Sequence, residues 1–226
     1  NAGSPLGISG LNAPGRYMSD IFIKGNSEYI SIKIEKLKEL EEVDPDYASF
    51  FYSFLLFESI NLIESSRNLK KPIEHKNINI ADGVKTSGDI VNTKRIKNSA
   101  FLAFLDDNDL DELINYANVR LFSAGEYIAL EGTKSDGINI LLKGKVEASF
   151  TNLKDDQLEN NSRSIARPGV ALSLSSGFHE IESTYSLKAT RDTTILKFSN
   201  EFIDNLIKTN PELAIKFFKR QLWQLG

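Results

Sequence analysis

The chain has 226 residues, of which 41% are hydrophobic and 26% are charged, and its formal net charge is −4. This is the balance of an ordinary globular protein, and the acidic charge argues against nucleic-acid binding, because nucleic-acid modules carry a basic face. The absence of cysteine excludes disulfides, thiolate catalysis and cysteine-based metal sites. No apolar run approaches the length of a membrane span. We expect a cytoplasmic protein that binds no nucleic acid and inserts into no membrane.

The first part of the chain changes from a strand pattern to a helical one. Residues 21–23 and 29–32 are predicted strands, and the hairpin-type pair Gly25-Asn26 separates them. Helical spacing of apolar residues takes over at 34–40.

A longer helix is predicted over 46–69, with Asp44 as its N-cap and Pro45 in its first turn. Its first half is apolar almost all round, so this helix is either buried on more than one side or packs against a partner. Residues 70–97 are rich in Lys, Asn and Asp and show little periodicity, which predicts a partly extended linker. A helical pattern resumes over 102–117.

The stretch Val119–Phe150 alternates apolar and polar residues with a period of two, which is typical of strands that place one face on a core. Glycines interrupt it at the spacing that tight hairpins need, at Gly125, Gly132, Gly137 and Gly144. This pattern predicts the front half of a small antiparallel β-barrel.

Polar residues 153–164 are predicted to form an exposed hairpin tip. Strands are predicted at 185–189 and 194–198. A helix then begins near Phe202, and Asn210 caps another that runs to the end of the sequence.

The sequence contains an internal repeat. An offset of 166 residues aligns Asn1–Phe57 with Arg167–Trp223 without a gap, so that Pro45 meets Pro211. The identities are sparse, but the order of strands, short helix, cap and long helix agrees. We expect three segments: 1–69 as the second half of a first domain, 70–97 as a linker, and 98–226 as a complete domain. The missing strands of the first domain are expected from a longer chain or another polypeptide.

Residues 98–226 resemble the cyclic nucleotide-binding domains of the cyclic AMP-dependent kinase regulatory subunit and the catabolite activator protein. The resemblance rests on a leading helix, glycine-bearing strands and a closing strand: Phe101, Leu105, Leu110, Leu113, Phe122–Glu126, Glu131-Gly132, Asp136, Ile138–Gly144, Ala189–Asp192 and Ile195–Phe198. It implies a mainly β fold, an eight-stranded jelly-roll-like barrel flanked by helices.

The resemblance also implies a phosphate-binding cassette, in which a Gly-Glu pair is followed nine residues later by an arginine that holds the cyclic phosphate. Neither copy has the glutamate or the arginine. The corresponding positions hold Ser173, Leu174 and Ser183 in the second copy and Gly7, Ile8 and Tyr17 in the first. We therefore expect degenerate cassettes that do not bind cyclic nucleotides, with Arg167 and Arg191 as the candidates for a substitute cation.

No catalytic or metal site is predicted. His75 and His179 are the only histidines and lie in different segments, and two histidines without cysteines make a poor metal site. Glu126 and Glu131 are expected to be exposed strand carboxylates. We expect no enzyme activity and no cofactor.

Three functions remain to be compared. The first is a regulatory or assembly module that acts through a protein partner or through self-association. The alternative is a sensor that takes a small molecule or a cyclic nucleotide in a non-standard pocket, which Leu174, Phe178 and Leu187 would make apolar. A transcription factor of the catabolite-activator type fits poorly, because the sequence shows no helix-turn-helix and is acidic.

Overall fold

The computed structural model describes residues 5–11, 21–22, 25–66, 78–85, 96, 99, 101–154, 157–173, 182–183 and 185–225. The chain forms two compact units. Unit 1 combines Asn1–Ile63 with Asp204–Gly226, and unit 2 is Glu64–Ile203.

Unit 2 contains two four-stranded sheets. The strands are β1 (Val84–Lys85), β2 (Asn118–Phe122), β3 (Tyr127–Ala129), β4 (Gly137–Lys143), β5 (Val146–Lys154), β6 (Gln157–Ile165), β7 (Ser186–Ala189) and β8 (Thr193–Ser199). One sheet has the order β1-β2-β8-β4 and the other β3-β7-β5-β6, and all of these pairings are antiparallel. The predicted mainly β fold is confirmed as two antiparallel sheets with flanking helices. A closed barrel is not seen among the described residues.

The core of unit 2 draws apolar side chains from both sheets, because alternate residues of each strand point inward. Its buried members are Phe122, Ile128, Leu141, Val146, Ala148, Leu172, Leu187, Ala189 and Ile195. The front-half pattern of Val119–Phe150 therefore does form strands, β2 through the start of β5.

Part of the predicted linker belongs to a sheet. β1 pairs with β2, and the Ala81 N–H donates to the Tyr127 carbonyl at 2.8 Å. The eighth strand therefore comes from a position before residue 98. Two residues are too few to show an alternating pattern, so the sequence gives no signal for this strand.

The predicted exposed tip at 153–164 is wrong in extent. β5 and β6 remain paired as far as Lys154 and Gln157, so most of the polar residues lie on strands. A β-ladder is held by backbone groups, and an exposed hairpin can therefore consist of polar residues.

Five α-helices in the described part of the chain accompany the sheets: α1 (Ile34–Val43), α2 (Pro45–Ser66), α3 (Asp107–Tyr116), α4 (Asn200–Thr209) and α5 (Pro211–Leu225). Both predicted caps are confirmed. The side chain of Asp44 accepts from the Tyr47 N–H at 3.0 Å, and that of Asn210 accepts from the Leu213 N–H at 3.1 Å. None of the helices in the described part of the chain is long and apolar enough to cross a membrane.

The helical part of the repeat is visible in the structure. α1 and α4 begin and end 166 residues apart, and α2 and α5 begin 166 residues apart. The strand part is not: Ile21, Phe22 and residues 29–32 lie outside strands. Ile30 is 91% exposed, whereas its counterpart Leu196 is fully buried in β8. Strand propensity without a pairing partner is not enough to form a strand, and the tandem arrangement stays a prediction.

Candidate functional site

The first cassette position of unit 2 follows a short segment that pairs with β4. Ala171 bridges Ile140, and the Leu172 N–H donates to the Asn139 carbonyl at 2.7 Å. This pairing places Ser173 at the end of a short stretch joined to β4, where it is buried. Leu174 lies outside the described residues.

Ser183 stands where the resemblance places the arginine, and it is fully engaged by its neighbours. Its N–H donates to the Thr133 carbonyl at 2.7 Å, and its carbonyl accepts from the Gly132 N–H at 2.8 Å. Its hydroxyl donates to the Tyr185 carbonyl at 2.8 Å, and the residue is only 4% exposed. The arginine position is thus a small, buried, neutral side chain with a local hydrogen bond.

Both candidate substitute cations, Arg167 and Arg191, are exposed. Arg167 follows β6, and Arg191 lies in the turn between β7 and β8. The Arg191 carbonyl accepts from the Thr193 hydroxyl at 2.7 Å, which fixes the backbone of this turn. Neither guanidinium is buried beside the cassette positions.

The first-copy positions lie in unit 1. Gly7 has a φ of 72°, and Ile8 begins a 3-10 helix, Ile8–Leu11, that packs against α5. A glycine accepts this left-handed conformation without strain. Tyr17 lies outside the described residues.

The sequence prediction for Glu131 is wrong. This residue is 4% exposed, and its carboxylate accepts from the Thr151 N–H at 3.0 and 3.1 Å and from the Thr151 hydroxyl at 3.1 Å. The Glu131 N–H donates to the Ser186 hydroxyl at 3.0 Å. Its partner Thr151 lies on β5, twenty positions away, which an alternating pattern does not reveal. Glu126 is half-buried and accepts from the Ser123 N–H at 2.7 Å.

Glu131 is adjacent in sequence to a backbone contact of the arginine position. It directly precedes Gly132, whose N–H donates to the Ser183 carbonyl.

A second polar cluster lies in unit 1. The Tyr52 hydroxyl donates to Glu41 Oε1 at 2.6 Å, and Lys219 Nζ donates to both Glu41 oxygens at 3.0 Å. Burial, followed by the hydrogen bond to Glu41 and the charge of Glu41, raises the pKa of Tyr52. The three side chains join α1, α2 and α5, which is a structural role. No cluster of His, Asp and Glu suited to a metal occurs in the part of the chain that the structure describes.

The chain is similar to several solved structures. The N-terminal domain of a transcriptional regulator from Streptomyces coelicolor A3(2) is 20% identical, with 56% of this chain and 86% of that chain covered and a TM-score of 0.48. The Thermus thermophilus catabolite activator protein is 25% identical, with coverages of 50% and 52% and a TM-score of 0.43. The regulatory subunit of a cAMP-independent protein kinase A from Trypanosoma brucei is 16% identical, with coverages of 56% and 44% and a TM-score of 0.46.

The chain thus spans about half the length of two of these three proteins. No curated protein sequence matches it. The family model described as cyclic nucleotide-binding domain matches residues 119–210, which is less than half of the chain. Residues 119–210 therefore match the cyclic nucleotide-binding domain family, as the resemblance implied for this segment.

Proposed function

We propose that this chain is a non-catalytic regulatory or assembly module, in which the cyclic nucleotide-binding fold holds no cyclic nucleotide and the function depends on protein contacts. The observation that carries the proposal is Ser183. A serine at the arginine position has no positive charge, and its hydroxyl is already bonded to the Tyr185 carbonyl.

Electrostatics support the same conclusion. A cyclic phosphate that leaves water needs a cation or several charge-assisted hydrogen bonds, each of which contributes roughly 1.5–3 kcal/mol. Ser183 supplies none of these, and it is itself buried. Arg167 and Arg191 are exposed, so water already solvates their guanidinium groups. A site with this charge pattern favours a neutral occupant or none.

Isothermal titration calorimetry of the 226-residue chain tests the proposal. Cyclic AMP, cyclic GMP and cyclic dinucleotides are expected to give no heat of binding. Micromolar binding of any of them would overturn it. In that case Arg167→Ala and Arg191→Ala, titrated separately, would identify the substitute cation by the one variant that abolishes the heat.

A further inference from the structure

We infer that the exposed face of α2 is a docking surface for a basic amphipathic helix of a partner protein. This inference names the partner class for the proposed function and rests on it in that respect. The surface consists of three aromatic residues, Tyr47, Phe50 and Phe54, and we call it the aromatic stripe.

The aromatic stripe is continuous and exposed to solvent. Its members follow one another at spacings of three and four residues, which places them on one face of a helix. Tyr47 is 58% exposed, Phe50 63% and Phe54 42%. Single exposed apolar residues are common, but an aromatic run over two helical turns is the kind of patch that marks an interaction site.

The positions of α2 that are buried in unit 1 lie outside the stripe. The buried hydrophobic side chains of the helix lie at other positions: Ala48, Tyr52, Leu55, Leu56 and Ile60. The internal core of the unit therefore does not require Phe50 or Phe54 to be aromatic.

The counterpart helix α5 carries charged residues at the positions that correspond to the stripe. With the offset of 166 residues, Phe50 corresponds to Lys216 and Phe54 to Arg220 on α5. Both counterparts are half-buried cations, and the guanidinium of Arg220 lies 3.9 Å from the ring centroid of Trp223. The same helical register therefore accepts charged residues here, and α2 carries phenylalanines instead.

The charge around the stripe determines the partner. Between Lys38 and Arg67 the sequence contains seven acidic residues and no lysine or arginine. Two of these acids, Glu39 and Glu41, pair with Lys36 and Lys219, so the stripe's own acids are the ones that matter here. Asp46 lies four residues before Phe50, and Glu58 lies four residues after Phe54, so acids stand one helical turn beyond each end. An apolar face bordered by carboxylates is complementary to a helix with an apolar stripe flanked by lysine or arginine.

The same charges argue against two other occupants. A second copy of this chain, docked stripe to stripe, would place carboxylates opposite carboxylates. An anionic membrane surface would repel Asp46 and Glu58 in the same way. A basic protein helix is the occupant that both the apolar and the acidic residues favour.

The test uses the 226-residue chain and a fluorescein-labelled amphipathic peptide of leucine and lysine, with binding measured by fluorescence anisotropy. We expect the peptide to bind, and the double substitution Phe50→Lys with Phe54→Arg to weaken binding at least about tenfold. This variant places the counterpart residues of α5 on α2, and circular dichroism checks that it keeps its helices. A second variant, Phe50→Ser with Phe54→Ser, leaves the charge unchanged and is expected to weaken binding as well.

A matched control separates the stripe from added charge. Ile30→Lys with Ile32→Arg removes two exposed apolar side chains outside α2 and adds the same charge, and it is expected to bind the peptide like the unsubstituted chain. Equal binding by the Phe50 and Phe54 variants would overturn the inference. Equal binding of a leucine–glutamate peptide would also overturn it.

The other occupants have readouts of their own. If the chain self-associates in sedimentation velocity and the double substitution abolishes this, the occupant of the stripe is a second copy of the chain and the inference of a partner helix is wrong. If the chain binds vesicles of phosphatidylcholine and phosphatidylserine and the same substitution abolishes this binding, the occupant is a membrane surface and the inference is wrong. None of these measurements involves the cassette, so the inference and the absence of cyclic nucleotide binding can each fail alone.

Discussion

The backbone of Ser183 is joined to Gly132, whose N–H donates to the Ser183 carbonyl at 2.8 Å. The serine hydroxyl turns to the Tyr185 carbonyl, also at 2.8 Å. The family arginine position is thereby part of the packing of unit 2.

Ser183→Arg is expected to lower the free energy of unfolding by about 2 kcal/mol or more, because a long cation would have to enter a nearly closed position without a charged partner. Urea denaturation followed by circular dichroism measures the loss. Ser162→Arg, at an exposed position of β6, is the control and should stay within about 0.5 kcal/mol of the unsubstituted chain. Equal stability of the two variants would mean that the arginine position is open.

Glu131→Ala is expected to cost about 1–3 kcal/mol of stability, because the part-buried Thr151 N–H and hydroxyl lose an acceptor. Glu131→Gln keeps an acceptor oxygen and should cost less. Glu147→Ala, an exposed position on β5, serves as the control in the same denaturation experiment. A Glu131→Ala variant as stable as the control would contradict the burial of this carboxylate.

The elements that the sequence predicts well are those whose cause is local. The caps of α2 and α5 follow from Asp44 and Asn210, whose side chains reach N–H groups three residues away. Strand β5 starts with the alternation of a strand that has one face on the core, whereas β4 is buried at six of its seven positions.

The features that the sequence does not predict depend on partners distant in the chain. β1 is only two residues long and is a strand because it pairs with β2. The Glu131 carboxylate can be buried because Thr151 donates hydrogen bonds to it. Residues 29–32 have the composition of a strand but remain exposed, since strand formation needs hydrogen-bonding neighbours that a single-residue propensity does not supply.

Gly137 and Gly125 differ in the space available for a side chain. Gly137 and Gly125 both have positive φ, 142° and 97°. A Cβ on Gly137 would lie 2.0 Å from the Phe198 carbonyl oxygen, whereas one on Gly125 would meet nothing within 4 Å.

Gly137→Ala is therefore expected to destabilise by about 3 kcal/mol or more, because β4 and β8 would have to separate. Gly125→Ala should cost only the conformational strain, about 1–2 kcal/mol. Thermal unfolding of the two variants measures the difference. Equal melting temperatures would show that β8 does not approach β4 as closely at Gly137.

The cluster of Tyr52, Glu41 and Lys219 predicts a loss of stability at high pH. The folded state raises the pKa of Tyr52 above its unfolded value, which is about 10. Its contribution is therefore fully present below pH ~10 and is lost as the pH rises toward the folded pKa, because the unfolded chain releases the proton first. Tyr52→Phe should reduce this alkaline slope and also cost about 1 kcal/mol at neutral pH for the lost hydrogen bond. Tyr47→Phe, which removes an exposed hydroxyl from the same helix, is the control. Urea denaturation from pH 8 to 11 compares them, and an unchanged slope in Tyr52→Phe would contradict the hydrogen bond to Glu41.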